Sequence, residues 1–288
     1  MQPITIRRRT ITESDIQAIQ AIVNEHWSKG RTHISRILCE VWRWVQPSGR
    51  LRDMACRELL LTLHRKGLIT LPPSSNNIDN NKRNWAIPIV EIDQTPLSGK
   101  LSDFPPVELK LVRHTSLEPL YNSLVQHYHY LGYKQIVGAH LKYMAFINDR
   151  PVACLGWGSA AWSVKARELF IGWDKPAKER NLHLVTNNTR FLVLPFVSIK
   201  FLASHLLALN ARRITSDWIS IYHHPLYLLE TFVDKDRFKG TCYKAANWIW
   251  TGATKGTSKR GNHHLFHGNI KNVFLYPLRK DFRQKLTE

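Results

Sequence analysis

Residues 73–106 read PSSNNIDNNKRNWAIPIVEIDQTPLSGKLSDFPP, and no apolar period survives there for more than a few positions. A stretch so rich in Pro, Ser and Asn is a linker or long surface connection, with at most one short strand at 86–92. The chain is therefore expected to fold as two pieces, residues 1–72 and 107–288.

The charge balance is the second constraint. Forty-one Lys and Arg against 22 Asp and Glu leave +19 over 288 residues. Such a surface attracts a polyanion, nucleic acid being the commonest, because each phosphate contact releases counterions. With 43% hydrophobic residues the chain can bury a sizeable core, which excludes wholesale disorder. No apolar run approaches the length of a membrane span. The opening MQPITIRRRTI has no apolar stretch behind its basic cluster, so a secretory signal is not expected either. Cys39, Cys56, Cys154 and Cys242 are scattered without a CxxC pair, as expected of reduced, buried thiols in a cytoplasmic protein rather than zinc ligands.

The first piece reads as three helices and a short strand. Thr12 caps a run with Ile16, Ile19, Val23 and Trp27 at helical spacing, and Asp15 supplies the acid of a capping box. A second helix covers about 33–42. Pro47 and Gly49 mark a turn, and a third helix at about 51–66 buries Met54, Leu59, Leu60 and Leu63 before Gly67. LITLPP then reads as a short strand. Together these predict a winged helix-turn-helix domain, with Arg50, Arg52, Arg57 and Lys66 on or beside the third helix as DNA contacts.

The second piece interleaves strands and helices around one core. VELKLVR predicts a strand, and the stretch from Leu117 an amphipathic helix that ends in HYHYLGY with Gly132 as its stop. LKYMAFIN and VACLGWGSAA form a hairpin across Asn148-Asp149, and RFLVLP is a further strand. SIKFLASHLLALNARR predicts a helix, RRITSDWISI a strand ending near Asp217-Trp218, and KNVFLYPL a late strand. The whole chain is thus α+β, with a mixed-sheet α/β domain at 107–288. The element order looks like the acetyltransferase fold of the GNAT superfamily, or a ribonuclease-H-like fold. The first needs closely spaced glycines to cradle phosphate, which LPFVSIKF lacks. The second needs an acid on its first strand, which LKYMAFI lacks.

Candidate chemistry gathers between Asp217 and Arg260. Asp217, Glu230 and Asp234 border apolar runs, where a carboxylate must be paired, protonated or metal-bound. Together they could hold Mg²⁺ or Mn²⁺ by oxygen ligands for phosphoryl transfer, or simply accept buried hydrogen bonds and pair with Arg190 or Arg237. Tyr243 and Asn247 share a helical face if a short helix starts after Gly240, and a tyrosine beside a metal can attack a phosphodiester. His129, with His127, matches a His–hydrophobic–His pattern but sits at a helix end, which suits a local acid/base. Lys255, Lys259 and Arg260 lie in a Gly-rich loop able to approach phosphate, and Arg190 and Lys239 extend the expected nucleic-acid contacts.

Several of these strings are similar to one family. HYHYLG, TRFLVLP, LETFVD and FKGTCYKAANWIWTGATKG, with RTHISRILCEVWRW and SGRLRDMACRELLLTLHRKGLITLP before them, resemble the DruA family over about residues 31–280. This family is named for the Druantia anti-phage defence systems, and similar proteins occur in insertion elements as transposases. The resemblance implies a bacterial cytoplasmic protein acting on DNA, in defence or mobility, alongside other defence-system proteins and away from membranes. Three functions are expectations: metal-dependent DNA strand cleavage or transfer (a nuclease or transposase), a non-catalytic DNA-binding recruitment module, and a GNAT-like acyltransferase.

Overall fold

In the computed structural model, residues 4–6, 9–74, 87–260, 263–266 and 268–288 are described, and the chain divides into two units between Trp85 and Ala86. The first 85 residues hold 14 Lys and Arg against 7 Asp and Glu, so both units carry surplus positive charge.

In the first unit, strands β1 (Ile4–Ile6) and β2 (Arg9–Ile11) form an antiparallel hairpin. Thr12 then starts helix α1 (Glu13–Glu25) with the expected capping box, its hydroxyl accepting from Asp15 N–H and the Asp15 carboxylate accepting from Thr12 N–H. A 3₁₀ turn leads into α2 (Gly30–Val41), and α3 (Asp53–Arg65) follows. Ile19, Val23, Ile34, Leu38, Leu59, Leu60 and Leu63 form the core. Met54, expected inside, is 69% exposed, and Cys56 occupies the buried position instead.

The strand expected at LITLPP, with which a wing would begin, is not formed. Among the described residues no strand follows α3, and the only hairpin of this unit precedes α1. Ile69 and Leu71 turn into the core, while Pro72 and Pro73 lack the N–H that a wing ladder needs. Side chains hold this segment instead: Gln20 accepts from Thr70 N–H, and Arg31 donates to Pro72 O at 2.6 Å. The connection between α2 and α3 spans 42–52 and closes on a Val45–Leu51 bridge. Arg52 donates to Val45 O across that loop and Arg57 pairs with Asp53, so both are engaged locally; Arg50 and Lys66 are exposed.

The second unit begins with β3 (Leu97–Lys100), β4 (Glu108–Leu111) and α4 (Glu118–Tyr128). The described part of 86–92 forms no strand. β5 (His140–Ile147) and β6 (Arg150–Ser159) form the hairpin read from sequence, with Asn148 (φ 48°) and Asp149 (φ 60°) in the left-handed conformation of its tight turn. Helices α5 (Lys165–Ile171) and α6 (Lys175–Asn181) precede β7 (Val185–Val193) and β8 (Val197–Lys200), the latter pairing with β3 in parallel. Then come α7 (Leu202–Tyr222), β9 (Leu228–Asp234), α8 (Thr241–Ala245) and β10 (Ile249–Ala253). β11 (Thr257–Arg260) and β12 (His263–Phe266) form a separate hairpin, and β13 (Lys271–Pro277) and α9 (Phe282–Thr287) close the chain.

Seven strands make one mixed sheet in the order β10-β13-β9-β7-β6-β5-β4, so the fold is α+β. Period-two alternation sorts the strands. Leu229 and Val233 of β9 pack with α7 and Tyr243 of α8, whereas Leu228 and Phe232 join the cluster of α5, α6 and α9.

RRITSDWISI, expected as a strand, continues α7 instead. Leu206, Leu207, Asn210, Ala211, Ile214, Trp218 and Tyr222 keep a helical buried stripe past the two arginines, and Arg213 pairs with Asp217 one turn on. Of the four residues before α7 that read as helix, Ser198, Ile199 and Lys200 belong to β8 and Phe201 is the N-cap of α7.

Candidate functional site

β7 and β9 run parallel but pair only over residues 185–188 and 228–231, after which they part. β7 stays on β6 as far as Val193. The other edge of β7 at 190–193 therefore has no strand partner among the described residues, and these residues line a cavity of about 640 Å³. That volume suits a small ligand or cofactor.

The parting has a local cause. Gly156 pairs with Arg190 and Trp157 with Asn188, which leaves Thr189 as the extra residue of a β-bulge. A bulge bends and twists its strand. Asn188 holds the fork from inside: its Nδ2 donates to Gly156 O and Arg190 O, both at 3.0 Å. Its Oδ1 accepts from the Tyr243 hydroxyl at 2.8 Å, and its main-chain oxygen accepts from Thr231 Oγ1 at 3.2 Å. At Gly156 an added Cβ would stand 2.5 Å from the Tyr121 hydroxyl and 3.3 Å from Arg190 Cβ, so the bulge and α4 close only over glycine.

The cavity is lined by 128–131 after α4, 187–193 of β7, 231–234 of β9 and 238–243 leading into α8, with Ala203 and Lys271. Ala203 belongs to the first turn of α7, which has no side-chain cap, so that end offers unpaired N–H groups. Arg190 is half-buried, with Nε donating to Gly132 O and Nη1 to Thr189 O. Lys239 and Lys271 add further positive charge.

His129 accepts from Leu131 N–H at Nδ1, which leaves the ring proton on Nε2. Burial, with Arg190 nearby, pushes its pKa down to about 4, so it is a neutral donor at physiological pH. Asp234 is buried, accepting from Asp236 N–H at 3.1 Å with Arg237 Nε 3.9 Å away. Burial pushes the Tyr243 hydroxyl up, and it stays protonated to donate to Asn188.

His183 shares the depression of His129, at about 4 through burial and then its neighbour His224, whose ring lies 4.8 Å away. A histidine lowered in the fold stays neutral there while the unfolded chain takes up its proton near pH 6.5, so the stability it contributes is complete above that pH and lost as pH falls towards 4. Thermal melts are expected to show a midpoint several degrees lower at pH 5 than at pH 7.5. His183→Asn should flatten this slope, and an unchanged midpoint between the two pH values would refute it.

The structure sorts the residues singled out from sequence. His129, Arg190, Asp234, Lys239 and Tyr243 meet at the cavity. Asp217 and Glu230 do not, and the proposed Mg²⁺ or Mn²⁺ site on Asp217, Glu230 and Asp234 is corrected. Among the described residues no three carboxylate, histidine or cysteine side chains gather as a metal-holding group. Asp217 sits on α7, where Arg213 donates to both its oxygens and the Tyr143 hydroxyl donates to Oδ2 at 2.7 Å. Glu230 is wholly buried on the sheet face opposite Thr231, accepting from Arg167 Nη1 at 2.7 Å and Ala161 N–H at 2.9 Å. Asn247 lies past the end of α8 with φ 63°, so it does not share a helical face with Tyr243. Lys255 is exposed, and the side chains of Lys259 and Arg260 lie outside the described residues.

Two working residues were missed. Asn188 stands beside Asn187 in a strand otherwise read only from 190. Arg167 falls between Val164 and Ile171 on the buried side of a helix, a position that asks for a buried acid.

The fold and site define a mixed α+β domain with a ligand-sized cleft where two parallel strands part. The family model described as "Druantia protein DruA" matches residues 63–268, and the chain belongs to that family. HYHYLG, TRFLVLP, LETFVD and KGTCY, strings that carried the resemblance, each contribute to the cavity lining. No curated protein matches the chain. Among solved structures, it is similar in part to an N-acetyltransferase from Staphylococcus aureus Mu50, at 12% identity and a TM-score of 0.39, over 60% of this chain and 99% of that one. The aminoglycoside acetyltransferase AAC(6')-Ib with coenzyme A and kanamycin gives 13% and 0.36, over 62% and 98%. The ribosomal-protein-S18-alanine N-acetyltransferase from Escherichia coli gives 9% and 0.36, over 60% and 94%.

Proposed function

We propose that the cleft binds a coenzyme A thioester and that this DruA-family chain transfers its acyl group, in the setting of anti-phage defence. The observation that carries this is the free edge of β7 inside the cleft. Main-chain groups at 190–193 can pair with an extended, amide-bearing ligand as a further strand would. The start of α7 and the cations of Arg190 and Lys271 suit the phosphates at the far end of such a ligand. One feature fits less well: the segment between β7 and α7 contains no glycine and includes β8, so phosphate contacts would be confined to the first turn of the helix and to side chains. Bound there, the thioester supplies an activated acyl carbon. The chain supplies the Nε2–H of neutral His129 as a hydrogen-bond donor to the thioester carbonyl oxygen and a carboxylate on Asp234 that receives the proton of an incoming amine or hydroxyl; the acyl–sulfur bond breaks as the new bond forms, and that proton passes to the departing coenzyme A thiolate.

Calorimetry and thermal shift with acetyl-CoA and coenzyme A test this. Binding is expected, with a melting shift of several degrees near 1 mM ligand, reduced in Lys271→Ala. No heat and no shift at that concentration would remove the reading. Metal-dependent strand cleavage loses its ligand set with the dispersal of the three carboxylates. Nucleic-acid binding is a separate property, favoured by the surface charge and by the rim of the cleft.

A further inference from the structure

Three large apolar residues of the cavity lining reach the surface. Phe238 is 49% exposed, Leu131 42% and Tyr130 39%. The rings of Tyr130 and Phe238 lie 5.5 Å apart at 58°. His129 stacks on Tyr130 at 4.8 Å, and the Arg237 guanidinium stands 5.0 Å from the centre of the same ring. Lys235, Arg237 and Lys239, in the segment that carries Phe238, are exposed against one exposed acid, Asp236, while Asp234 is buried. Two rings and a leucine are too short a strip for an apolar peptide segment. Alternating rings and cations match a ligand that alternates flat π faces with negative charges.

We propose that this rim binds an unpaired nucleic-acid strand, with a base stacked on Phe238, which Tyr130 backs edge-on, and phosphates on Lys235, Arg237 and Lys239. Stacking on exposed aromatics is insensitive to base identity, and the neighbouring cations hold the backbone between bases. A base in a duplex keeps both faces covered, so the platform selects unpaired segments. The rim belongs to the cleft read above as an acyl-donor site, which places the strand on the acceptor side of that reaction. Strand binding is measured with no thioester present, so either reading can fail without the other.

The test is fluorescence anisotropy of a labelled 20-nucleotide DNA strand of mixed sequence with the full chain at several salt concentrations. Phe238→Ala is expected to weaken strand binding about ten-fold, and Phe238→Trp to preserve it. Replacing Lys235 and Lys239 together by alanine should flatten the salt dependence by roughly 1.4 logarithmic units per unit. An RNA strand of the same sequence should bind within a few-fold, because base faces and phosphates are shared, and Phe238→Ala should leave any duplex binding unchanged. Absence of strand binding at 100 mM salt overturns the proposal. So does a Phe238→Ala variant that binds the strand as wild type does, or one that weakens strand and duplex alike.

Discussion

Replacing Glu230 with glutamine is expected to destabilise the protein by about 3–5 kcal/mol, measured from the denaturant midpoint of the full chain. The physics lies in Arg167, which is wholly buried and whose Nη1 bonds Glu230 and Ala161 O, while its Nε and Nη2 have no hydrogen-bond partner. A guanidinium cannot discharge itself by losing a proton, so neutralising Glu230 leaves a buried charge facing just the partly exposed Glu168, 3.9 Å from Nη2. The Trp173 ring, 5.6 Å from the guanidinium carbon, offsets only part of that. The reverse change is expected to cost less. Burial already pushes the Glu230 carboxyl up, against the pull of Arg167, and in Arg167→Met it can take a proton. Because such an acid is favoured protonated in the fold, the cost of Arg167→Met should shrink as pH falls towards the ordinary carboxylate range. The double variant Arg167→Met with Glu230→Leu should regain most of the loss, since apolar residues often replace a buried pair without penalty. A Glu230→Gln midpoint equal to wild type would show that the pair does not exist. Any loss of activity in Glu230→Gln must be read beside its stability, because this residue holds α5 to the sheet.

The second large effect is expected at the fork. Asn188→Ala removes three side-chain hydrogen bonds and leaves the buried Tyr243 hydroxyl without its acceptor, a loss of about 3 kcal/mol. Tyr243→Phe removes only one of those bonds and should cost about 1 kcal/mol. With Asn188 gone, the bulged segment of β7 is free to swing towards β9, so ligand binding in the cleft should fall even where the variant stays folded at low temperature. If Asn188→Ala and Tyr243→Phe give the same midpoint and the same ligand shift, the fork is held by the backbone and not by this side chain.

Much of the local structure was legible. The capping box at Thr12, the Asn148-Asp149 hairpin, the amphipathic stripe from Leu117 to Tyr128 and the late strand at 271–277 each follow from short-range chemistry that any environment would respect. What failed were readings in which two local patterns compete. RRITSDWISI has the β-branched residues of a strand, and it is helical because the stripe from Leu206 to Tyr222 continues unbroken across it. LITLPP has the composition of a wing, and it packs as an irregular segment because its apolar residues are used in the core of the helices. The candidate acids show the same limit. Asp217, Glu230 and Asp234 all border apolar runs, but Asp217 is carried on α7 to Arg213 and Tyr143, and although Glu230 and Asp234 share a face of β9, Glu230 is closed in by Arg167 and Ala161 in mid-strand while Asp234 ends the strand at the cleft.

By itself the sequence determined that the chain divides within a Pro- and Asn-rich stretch, that it carries a polyanion-attracting surplus of charge, and which strings mark its family. The tertiary structure decided which of those residues meet. Tyr130, Arg190 and Tyr243 are far apart in the chain, and they share one cleft because a single extra residue in β7 turns two parallel strands away from each other. That turning depends on pairing partners from β6 and β9, which no local pattern encodes, so the site exists only once the sheet is assembled.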